Sequence, residues 1–313
     1  MMVQAQVEKI AEDIRKMRIR GAGRIARAAA RALKITAKTT KARTSSEFLK
    51  ELEQVSRFLL NTRPTAVSLP NAIRFVTHKV MTSKDLDLET LRKMVISKAD
   101  EFIKTSLEAV RRIGEIGSRR ISDGDVIMTH CNSDCALSVI KTAFNQGKRL
   151  EVFVTESRPM RQGLISAREL SRAGIPTTLI VDSAVRHFIR DVDKVIVGAD
   201  SIAANGAVIN KIGTSQLALA ANEARVLFFV AAESYKFHPG TLVGRLVEIE
   251  ERPPNEIVNP KRFPAVKIRN PAFDVTPPEY IDLIITERGI IPPSAAYVVL
   301  QEQFEWRPGE ELL

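Results

Sequence analysis

Beyond residue 125 the chain alternates short, β-rich apolar runs with helical stretches, and this alternation limits the folds open to it. The runs are Val126–Met128, Leu150–Val154, Thr177–Val181, Lys194–Val197, Val226–Val230 and Leu283–Ile285. Strands separated by helices predict a mostly parallel sheet with helices on both faces. Open sheets of that kind bind ligands in the crevice beyond the carboxyl ends of their strands. The residues that follow each run are therefore the first to inspect for chemistry.

The part before this region reads as helix. Val3 to Met17 carries apolar residues at Val7, Ile10, Ile14 and Met17, a helical stripe. Gly21-Ala22-Gly23 interrupts it, and the Ala- and Arg-rich Ile25 to Leu33 favours a second helix. Thr39 to Ser46 is a polar connection, Glu47 to Leu60 a third helix, and Arg63-Pro64-Thr65 a break. Ala66 to Met81 and Asp85 to Ile116 supply two more helices. The fold class is α/β: an N-terminal helical domain, residues 1–120, then a Rossmann-like, doubly wound, mostly parallel sheet domain, residues 121–313. The proline-rich stretch from Arg252 to Pro278 reads as a long ordered excursion before a final strand and helix.

The net charge is +10, and between Arg15 and Arg43 there are eleven Lys or Arg residues and no Asp or Glu. Solvated helix faces, an anionic small molecule or a nucleic acid would each account for this excess. One Trp and three Tyr leave few stacking platforms, which disfavours nucleic acid. No apolar stretch reaches the ~18 residues of a membrane span. Met1 to Lys16 is charged throughout with no apolar core, so a cytoplasmic location is expected. Two cysteines four apart form no disulfide framework. His78, His130, His187 and His238 lack close ligand spacing, so no metal site is expected.

Two blocks carry the chemistry. Thr129-His130-Cys131-Asn132-Ser133 follows one run, and Gly198-Ala199-Asp200-Ser201 follows another. A thiol and a carboxylate in one crevice suffice for proton transfer on a sugar. Cys131 precedes a helix whose N-terminus would favour a thiolate, and a protonated His130 would favour it further. Read alone, Cys131 is equally a small buried thiol at a strand end, and Asp200 a turn or cap residue. Cys135 reads as core. Asn210-Lys211-Ile212-Gly213-Thr214 offers an amide, a cation and a hydroxyl as a polyol and phosphate grip. Arg20-Gly21-Ala22-Gly23-Arg24 sets glycine-rich backbone between guanidinium groups, an anion site or only a helix–helix turn. Arg63 adds a second cation, and Glu156-Ser157-Arg158-Pro159 with Gln162-Gly163 is a further loop after a strand.

Together with Ala232-Glu233-Ser234-Tyr235-Lys236-Phe237 and the tail blocks Asn270–Pro278 and Thr286–Pro293, these motifs resemble one superfamily over nearly the whole chain. It joins the regulatory subunits of translation initiation factor 2B, methylthioribose-1-phosphate isomerase and archaeal ribose-1,5-bisphosphate isomerase. The regulatory subunits usually lack the Cys/Asp pair, so the resemblance points to an isomerase. Ile19-Arg20-Gly21-Ala22-Gly23-Arg24 resembles the bisphosphate branch, where the methylthioribose enzyme typically has Ala-Pro after Arg-Gly. Asp134-Cys135 departs from the pattern and sets an acid near the thiol.

The resemblance implies conversion of α-D-ribose 1,5-bisphosphate to ribulose 1,5-bisphosphate through a phosphoenolate, with no metal or nicotinamide cofactor. Cys131 and Asp200 would share the acid and base roles. The preferred assignment has Asp200 at the ring oxygen and O2 and Cys131 moving the carbon-bound proton. Arg20, Gly21, Ala22, Gly23 and Arg63 would bind one phosphate. Arg158, Gln162, Asn210, Lys211 and Lys236 would bind the other phosphate or the hydroxyls. AMP is the expected activator, within archaeal nucleotide salvage, and a homo-oligomer, dimer or hexamer, is expected. The alternatives are a non-catalytic regulatory-subunit homologue and methylthioribose-1-phosphate isomerase.

Overall fold

The computed structural model describes residues 4–63, 67–244 and 247–304. The chain divides into two compact units between Glu108 and Ala109. Pro64–Ala66, which hold most of the expected helix break, and Val3 at the head of the first stripe lie outside the described residues.

The first unit is helical. It contains α1 (Ala5–Arg15), α2 (Ala22–Thr39), α3 (Ser45–Leu60), α4 (Ser68–Thr82) and the start of α5 (Leu88–Gly117). The spine is α2, which packs against α1, α3 and α4. Its alanines at 26, 29, 30, 32 and 37 are buried, and side chains this small let neighbouring helices approach closely. Ile25 and Leu33 fill the gaps between them. The helix runs on to Thr39 because Thr36 and Ala37 are buried with it, and the Thr36 hydroxyl bonds the Ala32 carbonyl (3.0 Å). The polar connection is therefore shorter than composition alone suggests. Thr44 then caps α3 by accepting the Glu47 amide (3.2 Å).

The second unit is built on a seven-stranded sheet. Its strands are β1 (Val126–Thr129), β2 (Glu151–Thr155), β3 (Thr177–Ile180), β4 (Lys194–Val197), β7 (Leu227–Ala231), β9 (Leu283–Thr286) and β10 (Gly289–Ile291). The spatial order is β10-β9-β7-β4-β1-β2-β3, all parallel except the β9–β10 pair. The chain winds outward from β1 through β2 and β3, then returns to β4 on the other side of β1. The β1–β4 boundary is the topological switch point of a doubly wound sheet. The helices between strands are α6 (Asp134–Asn145), α7 (Gly163–Arg172), the single-turn α8 (Val185–Phe188) and α9 (Thr214–Ala224), with α10 (Ala296–Phe304) last.

Both faces of this sheet are buried, as side-chain alternation requires. Met128, Val195, Val197, Phe228 and Val230 join one core with Leu217, Ala218 and Ile284. Their neighbours Ile127, Ile196, Phe229 and Ala231 join the other with Val139, Ile140 and Leu170.

A second, three-stranded antiparallel sheet was not legible from the runs. It orders β5 (Ser201–Ile202), β6 (Val208–Lys211) and β8 (Phe273–Thr276) as β5-β6-β8. Thus Asn210-Lys211 is strand, and the proline-rich excursion delivers β8 to pair with it, Asn210 opposite Asp274.

Replacing Ile196, wholly buried beside the switch point, by alanine is expected to destabilise the second unit by roughly 2–5 kcal/mol, the usual range for a core Ile truncation. Urea unfolding followed by circular dichroism reads this directly.

Candidate functional site

Cys131 follows β1 and Asp200 follows β4, so the thiol and the carboxylate leave neighbouring strands at the switch point. The two loops are in contact. Ser133 caps α6 by accepting the Ala136 amide (3.3 Å), and a Cβ on Gly198 would fall 2.4 Å from the Ser133 hydroxyl oxygen. Only glycine allows the chain leaving β4 to lie this close to the α6 cap.

His130 is a fixed post. Its Nε2 faces the Ile212 carbonyl (2.9 Å), which can only accept, so the proton sits on Nε2. Nδ1 is then the lone-pair nitrogen and accepts the Thr155 hydroxyl (2.6 Å). Burial pulls the imidazole below its ordinary value, against the opposing charge of Asp182, and holds it neutral. A neutral His130 gives the thiolate no cationic support. The helix N-terminus that would favour a thiolate is outweighed too. Burial pushes the Cys131 thiol up to about 11, Lys211 pulls it down, and Asp200 and Asp182 push it up again. Cys131 carries its proton at neutral pH. Its neighbour Cys135 is core, with a thiol raised far above its ordinary value by burial.

The other residues singled out from the sequence fall into three groups. Lys211 ends β6, donates to the Ala272 carbonyl (2.9 Å) and lies over the Phe273 ring, while its charge reaches Cys131. Asn210 is buried, and its Nδ2 donates to the Thr214 hydroxyl (3.0 Å). Lys236 is buried in an ion pair with Glu233 (2.7 Å), and the Tyr235 hydroxyl donates to the same carboxylate (2.9 Å). Burial alone would push Glu233 up, but Lys236 overrides it and holds the carboxylate below its ordinary value. Burial would likewise pull Lys236 down, but Glu233 raises it, with Asp200 adding to the effect.

Arg158 is exposed, its guanidinium donating to the Ile257 carbonyl (3.3 Å). Gln162 is buried just before α7, and its Oε1 has no hydrogen-bond partner among the described residues. In the helical unit Arg20 donates through Nε to the Met17 carbonyl (2.6 Å). Gly21 caps α2 at φ +85° with no side-chain cap, a conformation that favours glycine, so Ala22 and Gly23 open the helix with their amides. Arg63 is buried after α3.

Two residues at the site escaped the sequence reading. Asp182 follows β3 and accepts two backbone amides, and the strand-end rule that found Cys131 and Asp200 also points to it. Asp274 on β8 accepts the Gly213 and Ser215 amides (2.7 and 3.1 Å) at the N-terminus of α9. Burial raises it to about 6. Nothing in the local pattern marked β8 as a strand. Among the described residues no cluster of His, Cys, Asp or Glu could hold a metal ion, and no helix is long and apolar enough to cross a membrane.

The model of the initiation factor 2 subunit family matches residues 18–293. The chain belongs to this family. A Pyrococcus furiosus protein named ribose 1,5-bisphosphate isomerase is 57% identical over 97% of this chain and 96% of its own length. Among solved structures, translation initiation factor eIF-2B of Pyrococcus horikoshii OT3 superposes with a TM-score of 0.80 at 36% identity, covering 93% of this chain and 98% of that one. The 5-methylthioribose 1-phosphate isomerase of the same organism gives 0.78 at 34% identity, covering 96% and 87%. These superpositions agree with the helical region and the mostly parallel sheet read from the sequence.

Two measurements probe the buried charges. Lys236→Met leaves Glu233 buried and unpaired, and is expected to cost about 3–5 kcal/mol; the double variant Lys236→Met/Glu233→Gln is expected to recover much of that loss in urea titrations. Asp274 sits above the ordinary 3.8 of an aspartate, so the folded chain keeps a proton that the unfolded chain has lost. Its contribution is full below about pH 4 and is lost as the pH rises through about 6. Asp274→Asn is expected to flatten this fall in unfolding free energy, other groups unchanged.

Proposed function

We propose that the chain is an aldose–ketose isomerase that converts α-D-ribose 1,5-bisphosphate to ribulose 1,5-bisphosphate. The observation that carries the reading is the pairing of Cys131 and Asp200 at the ends of adjacent strands, at the switch point of the sheet. The relatives named ribose 1,5-bisphosphate isomerase, 57% identical in Pyrococcus furiosus and 55% in Archaeoglobus fulgidus, support it.

The anomeric oxygen of this substrate carries phosphate, so the ring opens only if its oxygen gains a proton as C2 loses one. A thiol that holds its proton is an acid. The roles expected from the resemblance are therefore exchanged in this proposal. Cys131 gives its proton to the ring oxygen as the C1–O4 bond breaks, and Asp200 takes the C2 proton, leaving the C1=C2 phosphoenol. The Cys131 thiolate then takes the O2 proton and Asp200 returns a proton to C1, which yields the ketone and restores both groups. No proton is gained or lost overall.

Lys211, Arg158 and Lys236 supply cations for phosphate, and Asn210 and Gln162 supply amides for hydroxyls. The orphaned Oε1 of Gln162 supports this, because a buried acceptor is ordinarily satisfied. Arg20, Gly21, Ala22, Gly23 and Arg63 are further phosphate ligands in this reading, which the open N-terminus of α2 supports. AMP serves as activator, the reaction belongs to nucleotide salvage in the cytoplasm, and the protein acts as a homo-oligomer, dimer or hexamer.

The test incubates the protein with α-ribose 1,5-bisphosphate, with and without AMP, and follows ribulose 1,5-bisphosphate by coupling to a carboxylase that consumes it. Cys131→Ser and Asp200→Asn are each expected to lower turnover by roughly 10²–10⁴-fold, the usual worth of a positioned acid or base. Deuterium from solvent at C1 of the product supports proton transfer, whereas full retention of the C2 hydrogen supports a hydride shift. Turnover of methylthioribose 1-phosphate instead, or of neither sugar, overturns the assignment.

A further inference from the structure

Cys131 and Ser157 are both non-glycine residues at positive φ, 66° and 61°. They stand next to each other beyond the ends of β1 and β2, and the Cys131 amide donates to the Ser157 hydroxyl oxygen at 2.7 Å. From α7 the Ser166 hydroxyl donates to the Cys131 carbonyl (2.7 Å) and accepts from Asn132 Nδ2 (3.0 Å). The thiol-bearing residue is thus held by both of its backbone polar groups. A left-handed conformation is unfavourable for a residue with a Cβ, so it persists only where its surroundings impose it.

For Ser157 the imposing group is Asp182, the first residue of the turn Asp182–Ala184 past β3. One carboxylate oxygen accepts the Ser157 amide and the other accepts the Arg158 amide, both at 2.7 Å. Charge-assisted bonds of this length are among the stronger ones a side chain makes to backbone.

We infer that Asp182 is a positioning residue for Cys131: its carboxylate fixes the left-handed turn at Ser157, and the Ser157 hydroxyl fixes the backbone from which the thiol projects. This rests on the isomerase reading only in taking Cys131 as an acting group. Asp182 reaches the Cys131 backbone amide through two hydrogen bonds and acts on the thiol through the field as well. Burial is the largest influence on the thiol, Lys211 from β6 draws it down, and Asp200 after β4 and Asp182 after β3 push it up. His130, whose Nδ1 lies 3.4 Å from the Ser157 hydroxyl, is held neutral.

The two effects separate by substitution. Asp182→Asn keeps the shape but has one acceptor oxygen, so one of the two amides meets an NH2 group. Asp182→Ala removes both acceptors. On ribose 1,5-bisphosphate, kcat is expected to fall about tenfold in the Asn variant and on the order of 10²-fold in the Ala variant, with KM within about threefold, as befits displacement of a reacting group. Without substrate, alkylation of Cys131 by iodoacetamide at about pH 9 is expected to rise at least about twofold in Asp182→Asn, because a neighbouring negative charge has gone. A Cys131→Ser blank subtracts any reaction at Cys135. Wild-type kcat in both variants overturns the inference. An unshifted thiol reactivity overturns it whatever the turnover, and a loss of urea stability alone marks Asp182 as a structural cap only. A wild-type protein inactive on the bisphosphate refutes the isomerase reading, while the alkylation arm still decides the role of Asp182.

Discussion

The structure depends on burying β1 and β4 on both faces. A parallel sheet covered by helices leaves its central strands no solvent-facing side, so the polar groups of the site collect where the strands end. Cys131, Ser157, Asp182 and Asp200 follow β1, β2, β3 and β4 in turn, all at one edge of one sheet. The order in which the chain winds decides which of them become neighbours. Because the chain leaves β3 at one margin and resumes at β4 beside β1, the first and fourth strand ends meet, and these carry the thiol and the carboxylate. Ile127, Ile196 and their partners hold that adjacency through side chains that never touch the site.

Burial also sets the protonation of the site. Removing water raises the thiol and lowers the imidazole, which is the common effect of desolvation on an acid and a base: each is driven to its neutral form. The most deeply buried charges at the site stay ionised as a pair. Glu233 and Lys236 are both almost wholly buried and hold each other ionised at 2.7 Å, against the desolvation that would neutralise either alone. Lys236, a ligand implied by the resemblance, thus comes with its own counter-ion.

The parallel sheet was legible because its strands are continuous apolar runs, and every run named in the sequence became a strand within a residue or so at each end. The three-stranded sheet was not, because β5 has only two residues and β8 arrives from about seventy residues beyond β5. Such pairings leave no local period to read. The residue types at the site were visible for a related reason: Cys131 and Asp200 sit where a strand-end rule looks. Their electrostatics were not, because the helix N-terminus that suggested a thiolate is visible in the sequence, while the desolvation that outweighs it belongs to the assembled site. Asp182 satisfied the same rule as Asp200 and was passed over because its partners are backbone amides of a distant loop.

The balance of charge around Cys131 favours the thiol as the starting acid once the substrate is considered. Of the charges acting on it, Lys211 is the one that draws it toward the thiolate. A phosphate engaged by Lys211 would cancel that pull and add negative charge of its own, and both changes push the thiol further up. Binding would therefore reinforce the proton on sulfur before the ring oxygen needs it. The opposite assignment requires a thiolate to form in a buried site in the presence of Asp200, Asp182 and a bisphosphate, against which stand Lys211 and the Asn132 amide. In the acid assignment the thiolate arises only after the proton has left for the ring oxygen, when the enol hydroxyl at O2 stands ready to return one.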